Sequence, residues 1–223
     1  MIEELLPPAV VVVDTREELL DIELFPEERA ALGQAVEKRR REFVTARACA
    51  RAALLRLGLP PSPIATGERG EPCWPGGVVG SITHCAGYRG CALARADEFA
   101  GVGIDAEPHA PLPDGVLAEI ARAEELPRLD ELARGEPAVH WDRLLFSAKE
   151  AVYKVWFPIA RRWLGFEDAA LIFDPLRQTF QAHLLIPLDD LKMRFPATLE
   201  GRWLIRDGLA LTAIDLPHIR QFG

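Results

Sequence analysis

Asp105 and Glu107 lie two residues apart in the segment GVGIDAEP, residues 101–108. Side chains alternate along a strand, so both carboxylates point to one face. Two such groups side by side repel unless a proton or a cation sits between them. Ligands that are all oxygen favour a hard cation such as Mg²⁺, which also binds phosphate oxygens. The same pattern equally describes a strand end carrying two solvated acids.

A third carboxylate occurs in LLFSAKEAVYKVWF, residues 144–157. Leu145, Ala148, Val152 and Val155 recur at helical spacing and should face a core. Lys149, Glu150, Tyr153 and Lys154 then fall on the other side. Glu150 and Lys154, four apart, are neighbours on one surface. Alone, they describe a surface ion pair worth about 0.3–0.5 kcal/mol. With Asp105 and Glu107, a third acid and two lysines would complete a site for a metal diphosphate and a charged leaving group.

Seven basic residues (Lys38, Arg39, Arg40, Arg41, Arg47, Arg51 and Arg56) stand between positions 38 and 56, with only Glu42 opposing them. The net charge of the chain is -8, so this is a local asymmetry. Helical spacing puts Arg40, Arg47 and Arg51 on one stripe. Arginine suits phosphate because its planar fork donates two hydrogen bonds at once. A solvated helix face fits equally well, and a nucleic-acid groove fits poorly, because no aromatics are interleaved for base stacking. In GSITHC, residues 80–85, Thr83 and Cys85 face one way and His84 the other. His84 could donate to a phosphate or be structural. Because it points away from Cys85, it cannot activate that thiol, which argues against a cysteine hydrolase.

The elements that must position these groups follow from pattern and punctuation. A buried strand is expected at residues 9–13. One long helix is expected from Glu27 to Leu57, stopped by Gly58, Pro60 and Pro61. Residues 62–77 read as an ordered loop, and residues 78–95 as two strands around a Gly87–Gly90 turn. Another strand covers 101–107. A helical stretch follows Pro113, and a stronger helix runs from Asp142 to Phe157 and ends at Pro158. Residues 169–186 and 197–215 read as extended, with a short helix between. Strand, long helix and hairpin thus occur twice, which suggests an α+β fold of two similar halves, residues 1–100 and 101–223.

Composition sets the outer limits. The 223 residues are 49% hydrophobic and 27% charged, ordinary for a globular protein that can bury a core. The acidic balance argues against general nucleic-acid binding. The longest apolar run, five residues, is far below the ~20 that span a bilayer. The acidic start MIEELLPP does not read as a signal peptide, so a cytoplasmic chain without membrane attachment is expected. The four cysteines form no Cys-x-x-Cys pair, which argues against zinc, and reduced thiols are expected.

Together these segments resemble the Sfp-type 4′-phosphopantetheinyl transferases, in their EntD-like and PptT-like branch. The family pattern Gly-x-Asp-x-Glu, then Lys-Glu-x-x-x-Lys, matches Gly103, Asp105, Glu107, Lys149, Glu150 and Lys154. Ser81, Thr83, His84 and Cys85 match an upstream pattern, and GERGEPCWP resembles the loop that meets the nucleotide. RWLGFED is similar to the tract after the helix. The resemblance implies two α+β halves in a pseudo-twofold arrangement with coenzyme A in the cleft between them. It implies Mg²⁺, or Mn²⁺, on Asp105, Glu107 and Glu150. It places Arg39 and Arg47 on the ribose phosphate with His84 close by, and Arg69, Gly70, Glu71, Pro72 and Thr83 at the nucleotide end. Lys154 would contact the diphosphate, and Leu164 the pantetheine arm. Asp105, Glu150 and Lys154 would carry the catalysis.

The sequence departs from the family at two of these places: Phe146 stands where Trp is common, and Glu71 where Lys is common, so Arg69 would supply that charge. The implied partners are apo carrier proteins or carrier domains, namely acyl carrier protein, peptide synthetases and polyketide synthases, with siderophore assembly among the pathways. The chain itself would be a monomer. Two other readings use the same residues: a metal-dependent phosphohydrolase acting on nucleotides, and a coenzyme A-binding module without turnover.

Overall fold

The computed structural model describes residues 1–19, 21–33, 35–188 and 195–218. Its first sheet is antiparallel with three strands, β1 (Val11–Thr15), β4 (Val78–Cys85) and β5 (Tyr88–Arg95), in the order β1-β5-β4. Val11–Thr15 is only half-buried, because β1 is an edge strand with one neighbour. The hairpin turns at Ala86–Gly87, where Gly87 has φ +76°, and Gly90 already lies inside β5.

The expected long helix is two helices, α1 (Pro26–Leu32) and α2 (Glu37–Arg56), broken at Gly33 with φ +48°. Glu28, fully buried, explains the break. Its carboxylate accepts the Phe25 N–H at 3.0 Å and the Ile64 N–H at 3.0 Å, and it binds the Arg51 guanidinium. That acid pins α1 against α2, so a straight run is impossible. α2 lies on the sheet through Cys49, Ala50, Ala53 and Leu54, which meet Cys91, Leu93 and Val78. The stretch at 62–77 is not wholly loop. It contains a minimal ladder, β2 (Ala65–Thr66) with β3 (Pro72–Cys73).

The second sheet has five antiparallel strands: β6 (Phe99–Pro108), β7 (Ala169–Asp174), β8 (Thr179–Leu184), β9 (Thr198–Arg206) and β10 (Leu209–Pro217), in the order β6-β10-β9-β8-β7. Helices α3 (Val116–Ile120) and α4 (Leu126–Gly135) precede α5 (Trp141–Ala160). Leu145, Ala148, Val152 and Val155 are buried as their spacing predicts. Pro158 does not end α5. The helix runs on to Ala160 and stops at Arg161, which takes a left-handed conformation with φ 51°. A proline near the C-terminus of a helix forfeits one hydrogen bond but needs no following turn. The short helix expected between β8 and β9 falls mostly at 189–194, outside the described residues.

Each sheet therefore carries one 20-residue helix, α2 or α5, which is the α+β pseudo-twofold arrangement the resemblance implies. The two sheets meet where β4 runs beside β6 without a backbone ladder. Side chains bridge the seam: Ser81 Oγ accepts the Ile104 N–H at 3.2 Å, and Thr83 Oγ1 accepts the Ala106 N–H at 3.0 Å. Two alternate N–H groups of β6 are thus satisfied by hydroxyls from across the seam, as buried donors require. Behind it, Tyr88, Ala92 and Ala94 pack with Val102, Ile104, Ala106 and Leu211 in one shared core. Among the described residues no helix is long and apolar enough to cross a membrane.

Candidate active site

A cleft of about 470 Å³ opens along the seam, walled by α2 on one side and α5 on the other. β4 and β6 form its floor, and the β2–β3 hairpin closes one end. Gly103 explains why α5 comes so close. A Cβ there would lie 2.2 Å from the Ala151 carbonyl oxygen, so only glycine lets the helix rest on β6. That contact brings Glu150 and Lys154 over the strand that holds Asp105 and Glu107, and all four side chains line the cleft.

Asp105 is 4% exposed. Its Oδ1 accepts from Lys154 Nζ at 2.7 Å and from Thr83 Oγ1 at 3.3 Å, while Lys154 also donates to the Ile104 carbonyl at 3.1 Å. Oδ2 of Asp105 is buried with no partner. Glu107 donates nothing and accepts from Arg143 Nη1 at 3.0 Å. Burial raises the Glu107 carboxyl above the usual range and the charge of Asp105 adds to this, with Arg143 opposing. Burial likewise raises Glu150, where Lys154 works against the shift and Asp105 reinforces it. Burial is the larger cause in both, so these two carboxyls sit where desolvation disfavours their charged form.

Among the described residues, no three His, Cys, Asp or Glu side chains are drawn tightly enough together to hold a metal ion. The ammonium of Lys154 takes the place on Asp105 where a cation would balance charge. The donor set nevertheless fits a hard divalent ion: three carboxylates line one cleft, and one buried carboxylate oxygen of Asp105 has no partner.

At the far wall, Arg39, Phe43, Ala46 and Arg47 project from α2 into the cleft. Arg39 Nη1 donates to His84 Nε2 at 2.8 Å. Burial and the charge of Arg39 lower the His84 pKa, which favours the neutral ring. Arg47 is 5% exposed, stacks over Phe43 at 4.1 Å, and donates to the Ile64 carbonyl at 3.0 Å and to Thr66 Oγ1 at 3.1 Å. The Arg40–Arg47–Arg51 stripe does not face the cleft as a unit. Arg51 turns to Glu28, to the Glu23 carbonyl at 2.7 Å and to the Phe25 ring, and Arg40 is exposed outside the lining. Of the stripe only Arg51 turns to α1, and the cleft-facing row is 39, 43, 46 and 47.

Arg69, Gly70, Glu71, Pro72 and Thr83 also line the cleft. Gly70 turns the hairpin with φ +86°. Glu71 is neutralised by Arg161, whose Nη1 donates to Oε1 at 2.7 Å, and Oε2 accepts the Arg69 N–H at 3.0 Å. The guanidinium of Arg69 instead stands 5.9 Å over the Trp163 ring. Phe146, Tyr153 and Phe157 add an aromatic wall from α5, with Tyr153 stacked on Phe157 at 5.6 Å.

Two expected residues are elsewhere. Lys149 does not share the face of Glu150. It is 3% exposed, and its ammonium donates to Glu125 Oε2, the Ile120 carbonyl and the Phe166 carbonyl, each at 2.8 Å. A hundred degrees per residue separates neighbours on a helix, enough to send Lys149 inward while Glu150 faces the cleft. Leu164 is buried in the C-terminal core, outside the cleft lining. Cys85 is buried, and its thiol is pushed up to about 12 by burial and by Glu107, so it is no nucleophile. Sequence reasoning missed Phe43, Arg143 and Arg161. Phe43 stood four residues from both Arg39 and Arg47, a legible helical row, whereas the partners of Arg143 and Arg161 are distant in sequence.

Comparison with known proteins agrees with this architecture. The 4′-phosphopantetheinyl transferase N-terminal domain matches residues 27–94, and the 4′-phosphopantetheinyl transferase superfamily matches residues 101–200. The chain is 56% identical to 4′-phosphopantetheinyl transferase Svp of Streptomyces mobaraensis over 86% of its own length and 78% of that protein. It is 52% identical to 4′-phosphopantetheinyl transferase PptT of Mycobacterium tuberculosis, over 86% of this chain and 85% of the relative. Enterobactin synthase component D of Salmonella typhi is more distant, at 30% identity over 85% of this chain and 79% of the relative. With both family models aligned in order across the two sheets and half its residues shared with relatives over most of its length, the chain belongs to the 4′-phosphopantetheinyl transferase superfamily.

Proposed function

We propose that this chain transfers the 4′-phosphopantetheine group of coenzyme A to a serine of an apo carrier protein, releasing adenosine 3′,5′-bisphosphate. The observation that carries this reading is the convergence of Asp105, Glu107, Glu150 and Lys154 in a cleft whose opposite wall bears Arg39 and Arg47. One end of the cleft is thus made for a diphosphate and its counter-ion, the other for a separate phosphate. The two halves, residues 1–100 and 101–223, each contribute one wall.

Asp105, Glu107 and Glu150 would hold Mg²⁺ or Mn²⁺, and the ion, when bound, would neutralise charge on the diphosphate. Arg39 and Arg47 hold the ribose phosphate, with His84 beside them. Arg69, Gly70, Glu71, Pro72 and Thr83 shape the nucleotide end. Lys154 swings from Asp105 toward the phosphates and steadies the leaving group. Glu150 takes the proton of the acceptor serine, directly or through a water, with one carboxylate oxygen serving the ion and the other the proton. The oxygen of that serine attacks the β-phosphorus, the bond to the α-phosphate bridge breaks, and the electron pair leaves with the bisphosphate. The carriers are acyl carrier proteins and the carrier domains of peptide and polyketide synthases, including siderophore pathways, met transiently in the cytoplasm by a monomeric enzyme.

Chromatography of adenosine 3′,5′-bisphosphate, with and without apo carrier, separates this reading from a phosphohydrolase. Release only with carrier supports transfer, and equal release without it supports hydrolysis. For the base, Glu150→Gln should lose turnover. Near-normal turnover with intact metal dependence removes Glu150 from that role.

A further inference from the structure

Arg143 stands in the first turn of α5, two turns before Glu150, and does not itself line the cleft. Its guanidinium makes three hydrogen bonds: Nη1 to Glu107 Oε2 at 3.0 Å, Nε to the Ala110 carbonyl at 3.0 Å, and Nη2 to the Pro111 carbonyl at 2.9 Å. The side chains of Arg143 and Glu107 are 15% and 20% exposed, so water competes little for these bonds. Two of the three bonds tie the guanidinium to the chain just past the end of β6, and the third reaches back to the last acid of that strand. A planar fork can satisfy three fixed acceptors at once, and an ammonium at the same place cannot reproduce that geometry.

We propose that Arg143 is a positioning residue that fixes the Glu107 carboxylate for the cleft cation. It donates to Oε2, which holds the carboxylate at the cleft wall and leaves Oε1 for the cation. The inference rests on the metal-binding reading of Asp105, Glu107 and Glu150. Charge and orientation oppose each other here. A guanidinium repels a divalent ion, so charge alone predicts tighter metal binding once Arg143 is removed. Outer partners that orient metal ligands typically contribute about 10–100-fold in affinity. Orientation should therefore win, because the carboxylate lies between the guanidinium and the cleft and screens the repulsion.

The test titrates Mn²⁺ into the full chain with coenzyme A and no acceptor, reading free Mn²⁺ by electron paramagnetic resonance. Wild type, Asp105→Ala, Arg143→Met and Arg143→Lys are compared. Arg143→Met and Arg143→Lys should both weaken Mn²⁺ binding by about 10–100-fold. In turnover they should raise the metal concentration for half-activity much more than they lower kcat at saturating metal. Lysine keeps the charge, so it supplies a folded variant even if the methionine variant misfolds. Mn²⁺ bound as tightly as in wild type, or more tightly, in the lysine variant or in a folded methionine variant overturns the inference. If wild type binds no Mn²⁺, or Asp105→Ala binds it equally well, the metal reading itself falls, and the role of Arg143 falls with it.

Discussion

Replacing Lys149 by methionine keeps the length of the side chain and removes its charge. Lys149 is 3% exposed, and its ammonium holds three acceptors at 2.8 Å: Glu125, the Ile120 carbonyl before α4, and the Phe166 carbonyl after α5. Glu125 is itself 1% exposed, and its other bonds come from the Arg122 N–H at 2.8 Å and the Leu171 N–H at 2.7 Å. Without Lys149, a carboxylate is left buried with amide partners only. Breaking one side of a buried ion pair costs about 3–5 kcal/mol. For a domain of this size about 2–4 °C of melting temperature is lost per kcal/mol, so the loss should be roughly 6–20 °C. Calorimetry measures it. A companion change, Glu125→Leu in the same chain, should recover much of the loss by removing the stranded charge. The affinity for coenzyme A in the folded fraction should stay close to wild type, since Lys149 points away from the cleft. A melting point within 2 °C of wild type, or a selective loss of coenzyme A affinity without a stability change, would refute the reasoning.

Gly103→Ala should cost about 1–3 kcal/mol and most of the activity, because the new methyl group meets the Ala151 carbonyl and lifts α5 off β6. Denaturant unfolding and turnover check the two effects together. Thr83→Val should cost about 1–3 kcal/mol, since it strands the Ala106 N–H at the seam, and urea unfolding reads that loss directly. Alkylation near neutral pH should mark exposed Cys73 first and spare Cys85, pushed up to about 12, and Cys49, pushed up to about 11, as peptide mass mapping will show. The fold holds the His84 pKa below its unfolded value through burial and Arg39, so protonation favours the unfolded chain. Stability should therefore fall as pH drops below about 6.5, and His84→Gln should flatten that fall in melting curves taken across the range.

The cleft acids were readable because strand alternation and helical spacing are local rules. Asp105 with Glu107 on β6 and Glu150 with Lys154 on α5 needed no knowledge of the fold, and the core stripe of α5 came from the same period. Other features depended on contacts between distant segments. Lys149 matched the motif, yet its partner Glu125 lies 24 residues upstream, so nothing local showed that it would turn inward. The break at Gly33 depends on Glu28 meeting Arg51 and Ile64, across the length of α2. Helical arithmetic favoured Arg40 with Arg47, but the direction of the cleft is set by where β4 lies, and that face carries Arg39. Pro158 was read as a stop because its missing N–H is a local fact, whereas the packing that carries α5 on to Ala160 is not. Ser81 and Thr83 read as motif residues near a site, and their hydroxyls turn out to join the two sheets.

Intact-mass spectrometry of an apo carrier protein, incubated with this chain, coenzyme A and Mg²⁺, tests the central claim most directly. A gain of one phosphopantetheine group on the carrier, lost with Asp105→Ala and strongly reduced with Lys154→Met, is the expected result. No mass gain on several apo carriers, from a folded chain that binds coenzyme A, would contradict the account.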